Sequence, residues 1–193
     1  MTFLSLCSGI EAASAAWLPL GFECAAVSEI NPFCCALLKH RYPDVPNLGD
    51  MLTLDDTRWR GKIDVVIGGT PCQSFSVAGL RGSLNDARGN LALRYVELVH
   101  AIQPRFAVWE NVPGVLSTHD NAFGCFLGGL VGADEAIAPT EIAKDTEFGD
   151  ISIERRWTSA GVADGPKGSA AWRILDAQYF GLAQRRERVF VIA

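Results

Sequence analysis

The chain has 193 residues, 49% of them hydrophobic and 20% charged, enough apolar material for one compact domain and too much for an intrinsically disordered protein. No apolar run approaches the ~20 residues of a membrane span and no basic start marks a signal peptide, so a cytoplasmic protein with no membrane partner is expected. A net charge of −5 argues against a nucleic-acid partner only until it is located: residues 133 to 154 hold seven acids against Lys144 alone, and the remainder is near neutral with basic clusters at Arg81, Arg88, Arg94 and at Arg185, Arg186, Arg188.

In chain order, Phe3 to Leu6 reads as a strand, Ile10 to Leu18 as an Ala-rich helix, Phe22 to Ser28 as a strand and Pro32 to Arg41 as a helix. Asn31 can cap that second helix, and Pro32 sits where its missing N–H costs nothing. Ile63 to Ile67 is a continuous apolar run of the kind buried in a parallel sheet, Leu91 to Ile102 a helix, and Phe106 to Trp109 another strand. This alternation predicts βαβ units and an α/β fold with a doubly wound, mostly parallel sheet. Beyond Trp109, glycines at 124, 128, 129 and 132 punctuate a short helix. Residues 133 to 169 read as an inserted polar, acidic excursion, a long loop or small hairpin. Ala170 to Leu175 and Val189 to Ile192 return as strands, and the sequence stops at Ala193 just after the last, which suggests an incomplete chain.

The six cysteines (Cys7, Cys24, Cys34, Cys35, Cys72, Cys125) include no C-x-x-C pair, and most are expected to be buried thiols. His40, His100 and His119 form no metal-ligand pair, so no metal is expected.

Ligands of open α/β sheets bind beyond the carboxyl ends of the strands. Gly9 lies in the first turn and Glu29 ends the second strand twenty positions later, a spacing suited to an adenosine-containing cofactor whose ribose hydroxyls meet the acid. The fingerprint G-x-G-x-x-G is absent, and Glu11 stands where a pyrophosphate needs N–H donors, which disfavours a dinucleotide. Gly9 as a bare turn residue and Glu29 as a solvent-facing acid remain the competing reading. Asp50, after Gly49, could accept an adenine exocyclic amine.

Strand Ile63 to Ile67 runs into Gly68-Gly69-Thr70-Pro71-Cys72-Gln73-Ser74-Phe75-Ser76, which places Cys72 at a strand's carboxyl end, where a thiolate could act as a nucleophile. A packed structural cysteine is the alternative. Glu110, Asn111 and Val112 follow the strand ending at Trp109, and Arg186 and Arg188 alternate with Glu187 so that in an extended backbone they share a face. A nucleophile, an acid and paired cations on one edge satisfy the criteria for an active site, although each has its own reading as surface charge.

These residues resemble the DNA cytosine-5 methyltransferase family. Pro71-Cys72-Gln73 with Ser74-Phe75-Ser76 resembles its catalytic loop, Glu110-Asn111-Val112 its Glu-Asn-Val motif, Gln184-Arg185-Arg186-Glu187-Arg188 its Gln-Arg-rich motif, and Arg88-Gly89-Asn90-Leu91 its following small motif. Phe3 to Gly9 resembles the cofactor motif, Glu29 the ribose-binding acid and Asp50 the adenine-binding acid.

The resemblance implies an S-adenosylmethionine-dependent methyltransferase of Rossmann-like fold acting on double-stranded DNA. Cys72, Glu110, Arg186 and Arg188 would be catalytic. Ser8, Gly9, Ile10, Glu29, Ile30, Asp50, Met51, Pro71 and Leu91 would lie around the cofactor, and Gln73, Ser74, Ser76, Asn111 and Gln184 around the substrate. Two departures stand out. Cys7, Gly9, Glu11 and Ala12 replace the usual Phe-x-Gly-x-Gly-Gly, so an aromatic cover for adenine is missing, and Ile30 follows Glu29 where some members carry an aromatic. The family's target-recognition region and last two motifs are absent from these residues. The chain is therefore expected not to methylate DNA site-specifically alone, and to expose apolar surface around Ala12 to Leu18 that invites dimers. An RNA (tRNA) cytosine-5 methyltransferase and a catalytically silent cofactor-binding fragment remain alternatives, with a thiol oxidoreductase further off because Cys72 lacks a resolving cysteine. The recognised DNA site, a restriction-linked or phage role, and the base that removes the C5 proton stay open.

Overall fold

The computed structural model describes residues 1–71, 91–117, 120–145 and 151–193. The strands are β1 (Thr2–Leu6), β2 (Glu23–Ser28), β3 (Val65–Gly68), β4 (Phe106–Asn111), β5 (Thr140–Asp145), β6 (Ile151–Arg156), β7 (Ala160–Gly165), β8 (Gly168–Asp176) and β9 (Glu187–Ile192). The helices are α1 (Ala12–Trp17), α2 (Pro32–Arg41), α3 (Leu91–Ile102) and α4 (Ala122–Val131). Seven strands form one sheet in the order β2-β1-β3-β4-β9-β8-β7. β2, β1, β3 and β4 pair in parallel, whereas β9, β8 and β7 are each antiparallel to the neighbour before them. Five of the seven strands therefore point the same way, as an α/β, mostly parallel sheet requires.

The parallel half forms where local sequence dictates. Phe3, Leu4, Leu6, Val65 and Val66 are buried because helices cover both faces of these strands. The Asn31 side chain accepts from Phe33 N and Cys34 N at 3.0 and 3.2 Å and so caps α2 as expected, with Lys39, His40 and Arg41 in the last turn, where the helix dipole favours cations. On α3, Ala92, Tyr95, Val96, Leu98 and Ile102 recur at helical spacing and face the core. Tyr95 reaches farthest: its hydroxyl lies 3.1 and 2.9 Å from the Val66 and Val108 carbonyls, between β3 and β4.

The antiparallel half is held by rings and by close backbone approach. The glycines of α4 are its packing face, for a Cβ on Gly124 or Gly128 would strike the Ile137 or Glu135 carbonyl lying against the helix. Trp109 stacks on Phe126 at 4.3 Å, and Phe123, Trp157 and Trp172 meet edge-on at 4.9 to 5.8 Å.

Two expectations need correction. The excursion at 133 to 169 contains a hairpin, β5–β6, but its last part is β7, the edge strand of the main sheet. Ala-Gly-Val-Ala-Asp-Gly carries one β-branched residue; β7 forms through its pairing with β8 and the fit of Gly161 against the Trp172 ring. The five described cysteines, Cys7, Cys24, Cys34, Cys35 and Cys125, are free thiols that are half-buried rather than buried. The apolar surface expected around Ala12 to Leu18 is present: Ala12, Ala15, Ala16 and Leu18 are exposed, as is Leu20 just beyond, while Trp17 packs on Phe3 and Phe22. Among the described residues no helix is long and apolar enough to cross a membrane, and no group of three or more His, Cys, Asp or Glu could hold a metal ion.

Candidate functional site

Polar side chains gather at the carboxyl ends of β1 to β4 in two groups. The first surrounds the turn after β1, where Cys7, Gly9 and Glu11 all have positive φ (50°, 55° and 67°). Two non-glycine residues in the left-handed region within five positions are costly and require outside support. Serines supply part of it. Ser8 N donates to Ser28 O at 3.1 Å, the Ser8 hydroxyl donates to Ser5 O at 3.0 Å and accepts from Ser28 N at 3.2 Å, and the Ser28 hydroxyl donates to Gly49 O at 2.7 Å.

Glu11 supplies the rest. Its side chain turns inward and is 1% exposed, accepting from the Ser5 hydroxyl (2.7 Å), Ser14 N (3.0 Å) and the Ser14 hydroxyl (3.1 Å). The carboxylate caps α1 from within, accepting from its Ser14 amide, so an acidic side chain of the chain's own already stands at the helix start. A pyrophosphate has no place at this helix start.

Glu29 faces the turn. Its Oε2 accepts from Gly9 N at 2.7 Å and its Oε1 from Ile30 N and Asn31 N at 2.8 and 2.7 Å. Asn47 braces it: Oδ1 accepts from Glu29 N and Gly49 N, and Nδ2 donates to Glu29 O. Asp50 follows on the same loop, with Oδ1 accepting from Leu52 N at 2.9 Å to cap the 3-10 turn Met51–Thr53. Burial, with the neighbouring carboxylates of Glu29 and Asp50, pushes the Cys7 thiol up to about 11, so it is protonated at neutral pH. The three side chains form one cluster. A Cβ on Gly9 would meet nothing within 4 Å, so the turn opens onto free space. Ile10 and Ile30 flank it and are exposed, 53% and 68%. Met51 does not line this surface; it is buried, with its sulfur 3.3 Å from Cys7 Sγ.

The second group lies where β3, β4 and β9 meet. Glu110 pairs across the ladder with Phe190, which makes Arg188 its diagonal neighbour on the same face, and Arg188 Nε bonds Glu110 Oε1 at 2.9 Å. A Cβ on Gly69 would come 3.1 Å from Glu110 Oε2, so glycine leaves that oxygen room that a side chain would narrow. Thr70 is pinned twice from β4, by Trp109 Nε1 to its hydroxyl at 3.0 Å and by Asn111 Nδ2 to its carbonyl at 2.8 Å. From Thr70 the chain leads through exposed Pro71 toward Cys72, which with Gln73, Ser74 and Ser76, as well as Arg88, Gly89 and Asn90, lies outside the described residues.

The expected substrate-side residues thus separate. Glu110 and Arg188 meet. The Asn111 amide is 5% exposed and occupied at both ends, by Thr70 O and Val112 N, so it braces the loop instead of facing a ligand. Arg186 does not join Arg188: β9 begins only at Glu187, the Arg186 side chain is exposed, and its backbone N donates to Asp176 at 2.9 Å. Gln184 is exposed too, and Leu91 is the half-buried first residue of α3. Sequence reasoning missed Asn47, Thr70 and Arg94. An Asn in a turn and a Thr beside a Pro carry no distinguishing signal, and Arg94 reads as half of an i,i+3 pair with Glu97.

A sheet of this topology with acids at its carboxyl rim is the S-adenosylmethionine-dependent, Rossmann-like methyltransferase fold. Residues 1–129 match the family described as C-5 cytosine-specific DNA methylase, and the chain belongs to that family. It is 53% identical over 209 residues to a DNA N-6-adenine-methyltransferase of Escherichia phage P1, covering 98% of this chain and 28% of that protein. It is 39% identical over 195 residues to the orphan methyltransferase M.Rho11sI of Bacillus phage rho11s (98% and 32%), and 32% identical over 197 residues to the type II methyltransferase M.AquIA of a Picosynechococcus strain (98% and 70%). The chain thus spans about a third or less of the two phage relatives. Among solved structures, a DNMT2 mutant from Spodoptera frugiperda superposes with a TM-score of 0.66 at 20% identity, over 99% of this chain and 49% of that one. A putative DNA modification methyltransferase encoded within an E. coli prophage gives 0.62 at 20% identity, over 100% and 46%. The relatives' names are those of DNA methylation and of restriction–modification.

Proposed function

We propose that residues 1–193 form the catalytic, cofactor-binding domain of an enzyme that methylates C5 of cytosine in double-stranded DNA. The observation that carries this reading is the Glu110–Arg188 pair, 2.9 Å apart beside the loop that leads to Cys72. An acid and a cation held together at a strand end can grip opposite polar edges of one flat ring. The residues around the β1 turn fit S-adenosylmethionine: Glu29 suits ribose hydroxyls, Asp50 an exocyclic amine, and Gly9 opens onto space for the nucleoside. Bound there, that cofactor supplies an electrophilic methyl group.

C5 of cytosine is a poor nucleophile while the ring is aromatic. The Cys72 thiolate would form a bond to C6 and push the ring electrons to C5, making C5 the nucleophile for the methyl group that the cofactor would supply. A base then removes the C5 proton, the C5–C6 double bond re-forms and the Cys72–C6 bond breaks. Glu110 holds N3 and the exocyclic amine, favouring protonation at N3 so that negative charge does not build up on the ring; Arg188 binds O2. Arg186, free at the surface, suits a flanking phosphate. The base leaves the duplex first, since C5 and C6 are inaccessible within the stack.

The phage P1 relative's name supports a second reading, methylation of adenine N6. The exocyclic amine is already a nucleophile and needs no covalent addition, so the two readings separate on one residue. The intact protein is expected to form a denaturation-resistant adduct with DNA containing 5-fluorocytosine, because fluorine cannot leave as a proton. Cys72→Ala is expected to form none. An adduct that survives this substitution, or nucleoside mass spectrometry of methylated DNA that finds only N6-methyladenine, rejects the proposal.

A further inference from the structure

We propose that Arg94 is the positioning residue for the cofactor's adenine, acting through two backbone carbonyls of the turn that begins at Asp50. The inference rests on the reading of Asp50 as the adenine-binding acid. Arg94 projects from α3 across to the loop after α2: Nε donates to Met51 O at 3.3 Å and Nη2 to Leu54 O at 3.0 Å. Asp56 on the same loop is 3.6 Å from Nη2, and Glu97, one turn along the helix, is 3.2 Å from Nη1. The guanidinium therefore grips both ends of one short turn, and its side chain is only 20% exposed.

The side chains of Met51 and Leu54 anchor the turn in the core, and Thr53 donates to Asp50 O from both N and Oγ1 at 3.1 Å; Arg94 holds the two carbonyls that these contacts leave. Asp50 caps it with Oδ1, and Leu54 N donates to Met51 O at 3.4 Å. Leu52 and Thr53 are exposed. Among the described residues Asp50 Oδ2 makes no hydrogen bond, so that oxygen is the one available to an exocyclic amine. Its direction depends on the turn, and Arg94 fixes the orientation of the turn's two outer peptide groups through their carbonyls. A lysine cannot substitute fully, because a single ammonium on a flexible stem does not span two carbonyls as a planar fork does. The geometry also gives α3 a second task. The helix that follows the Cys72 segment in sequence is the one that fastens the adenine side of the pocket.

A selectivity ratio tests this, because a bare loss of stability does not change it. Binding of S-adenosylhomocysteine and of its hypoxanthine analogue, which lacks the exocyclic amine, is measured by calorimetry on the full chain. The parent is expected to prefer adenine by about tenfold, the scale of one hydrogen bond to a charged acceptor. Arg94→Met should reduce the preference to within about twofold, as Asp50→Ala does, and Arg94→Lys should fall between. Ile102→Val, a buried change two turns along α3, should lower the melting temperature and keep the parent's ratio. If Asp50→Ala abolishes the preference but both Arg94 variants keep it, the role of Arg94 is overturned and the adenine site stands. If the parent shows no preference, the adenine site itself is wrong and the role of Arg94 fails with it. Should Arg94→Met not fold, the lysine variant alone decides: a ratio equal to the parent's overturns the proposal.

Discussion

Glu29 and Glu110 both stand at the carboxyl ends of parallel strands, yet they are held by opposite means. Glu29 accepts three backbone N–H groups, all within the turn after β1 and the two residues that follow it in sequence. Glu110 is held by one guanidinium contributed by β9, 78 positions away, across an antiparallel ladder. The surroundings of Glu29, the proposed ribose side of the cofactor site, are therefore organised by their own loops. The substrate side exists only when the antiparallel half of the sheet has docked. In the proposed reaction an electrophile would be held in one position throughout, which suits fixed backbone donors, whereas a base entering from a duplex would have to find an acid and a cation that can exchange each other for its ring edges.

This contrast is broken most sharply at Arg188. Arg188→Met should lower the methyl-transfer rate by about 10²–10³-fold, the usual loss when a group stabilising transition-state charge is removed. Cofactor affinity should stay within about twofold, since among the described residues its side chain bonds Glu110 and the Glu187 carbonyl and no group of the β1 turn. The pair is 22% and 34% exposed, so its loss should cost no more than about 1 kcal/mol of stability. Single-turnover kinetics beside calorimetry would show this, and a parallel fall in both would mean that the two sides are not separate. The reverse experiment is Glu29→Ala, which should weaken S-adenosylmethionine binding by about 1.5–3 kcal/mol, the range for hydrogen bonds to a charged group. The methyl-transfer rate at saturating cofactor should change far less, and equal affinity in variant and parent would remove Glu29 from the site.

The same contrast explains what could be read in the sequence. The span of α2 and that of α3 are the ones their caps and periodicity predict, and Glu29 was found because strand, turn and acid lie within twenty-odd residues. Glu110 and Arg188 were each visible as strand-end charges. Their contact was not, since it depends on β9 entering the sheet next to β4 in reverse direction. Sharing a face in an extended backbone misled for Arg186, because the strand begins one residue later. β7 and the glycine face of α4 were illegible for a common reason: both are defined by what packs against them, the Trp172 ring and the backbone of residues 135 to 137. Glu11 was legible as an acid standing where a pyrophosphate needs N–H donors; its inward turn was not, because it depends on the donors that Ser5 and Ser14 offer inside the protein.

Glu11 accordingly yields a prediction about folding rather than binding. Glu11→Ala removes the acceptor of two hydroxyls and one amide in a buried place, and each donor left unsatisfied costs about 1–3 kcal/mol. Relief of the left-handed backbone is not expected to compensate, since alanine at φ 67° keeps that strain. A fall of roughly 2–4 kcal/mol in urea-unfolding free energy is expected. A change below about 0.5 kcal/mol would show that the turn after β1 does not depend on its internal carboxylate.

The smallest effect belongs to Asp176, the local counterpart of the Glu29 cluster on the substrate side. Its Oδ1 accepts from Gln178 N and Arg186 N at 3.2 and 2.9 Å, and Oδ2 lies 2.5 Å from Gln178 Nε2. These bonds fold the connection from β8 to β9 and so set where Arg188 begins its strand. Burial by itself pushes the pKa of this carboxyl up, but the donors from Arg186 and Gln178, with the nearby Arg185 charge, outweigh it and hold the group below the ordinary carboxylate range. A carboxyl depressed on folding adds stability that is complete above its unfolded value of about 3.9 and is lost as pH falls through the lower folded value. Asp176→Asn should therefore lower the melting temperature at pH 7, and the gap from the parent should narrow below about pH 4. The methyl-transfer rate should fall only modestly, because the connection still carries the Ala177 N to Arg186 O bond at 3.1 Å. A gap that stays constant from pH 7 to pH 2.5 would show that the charge of Asp176 contributes nothing to stability, and that the connection is set by backbone pairing alone.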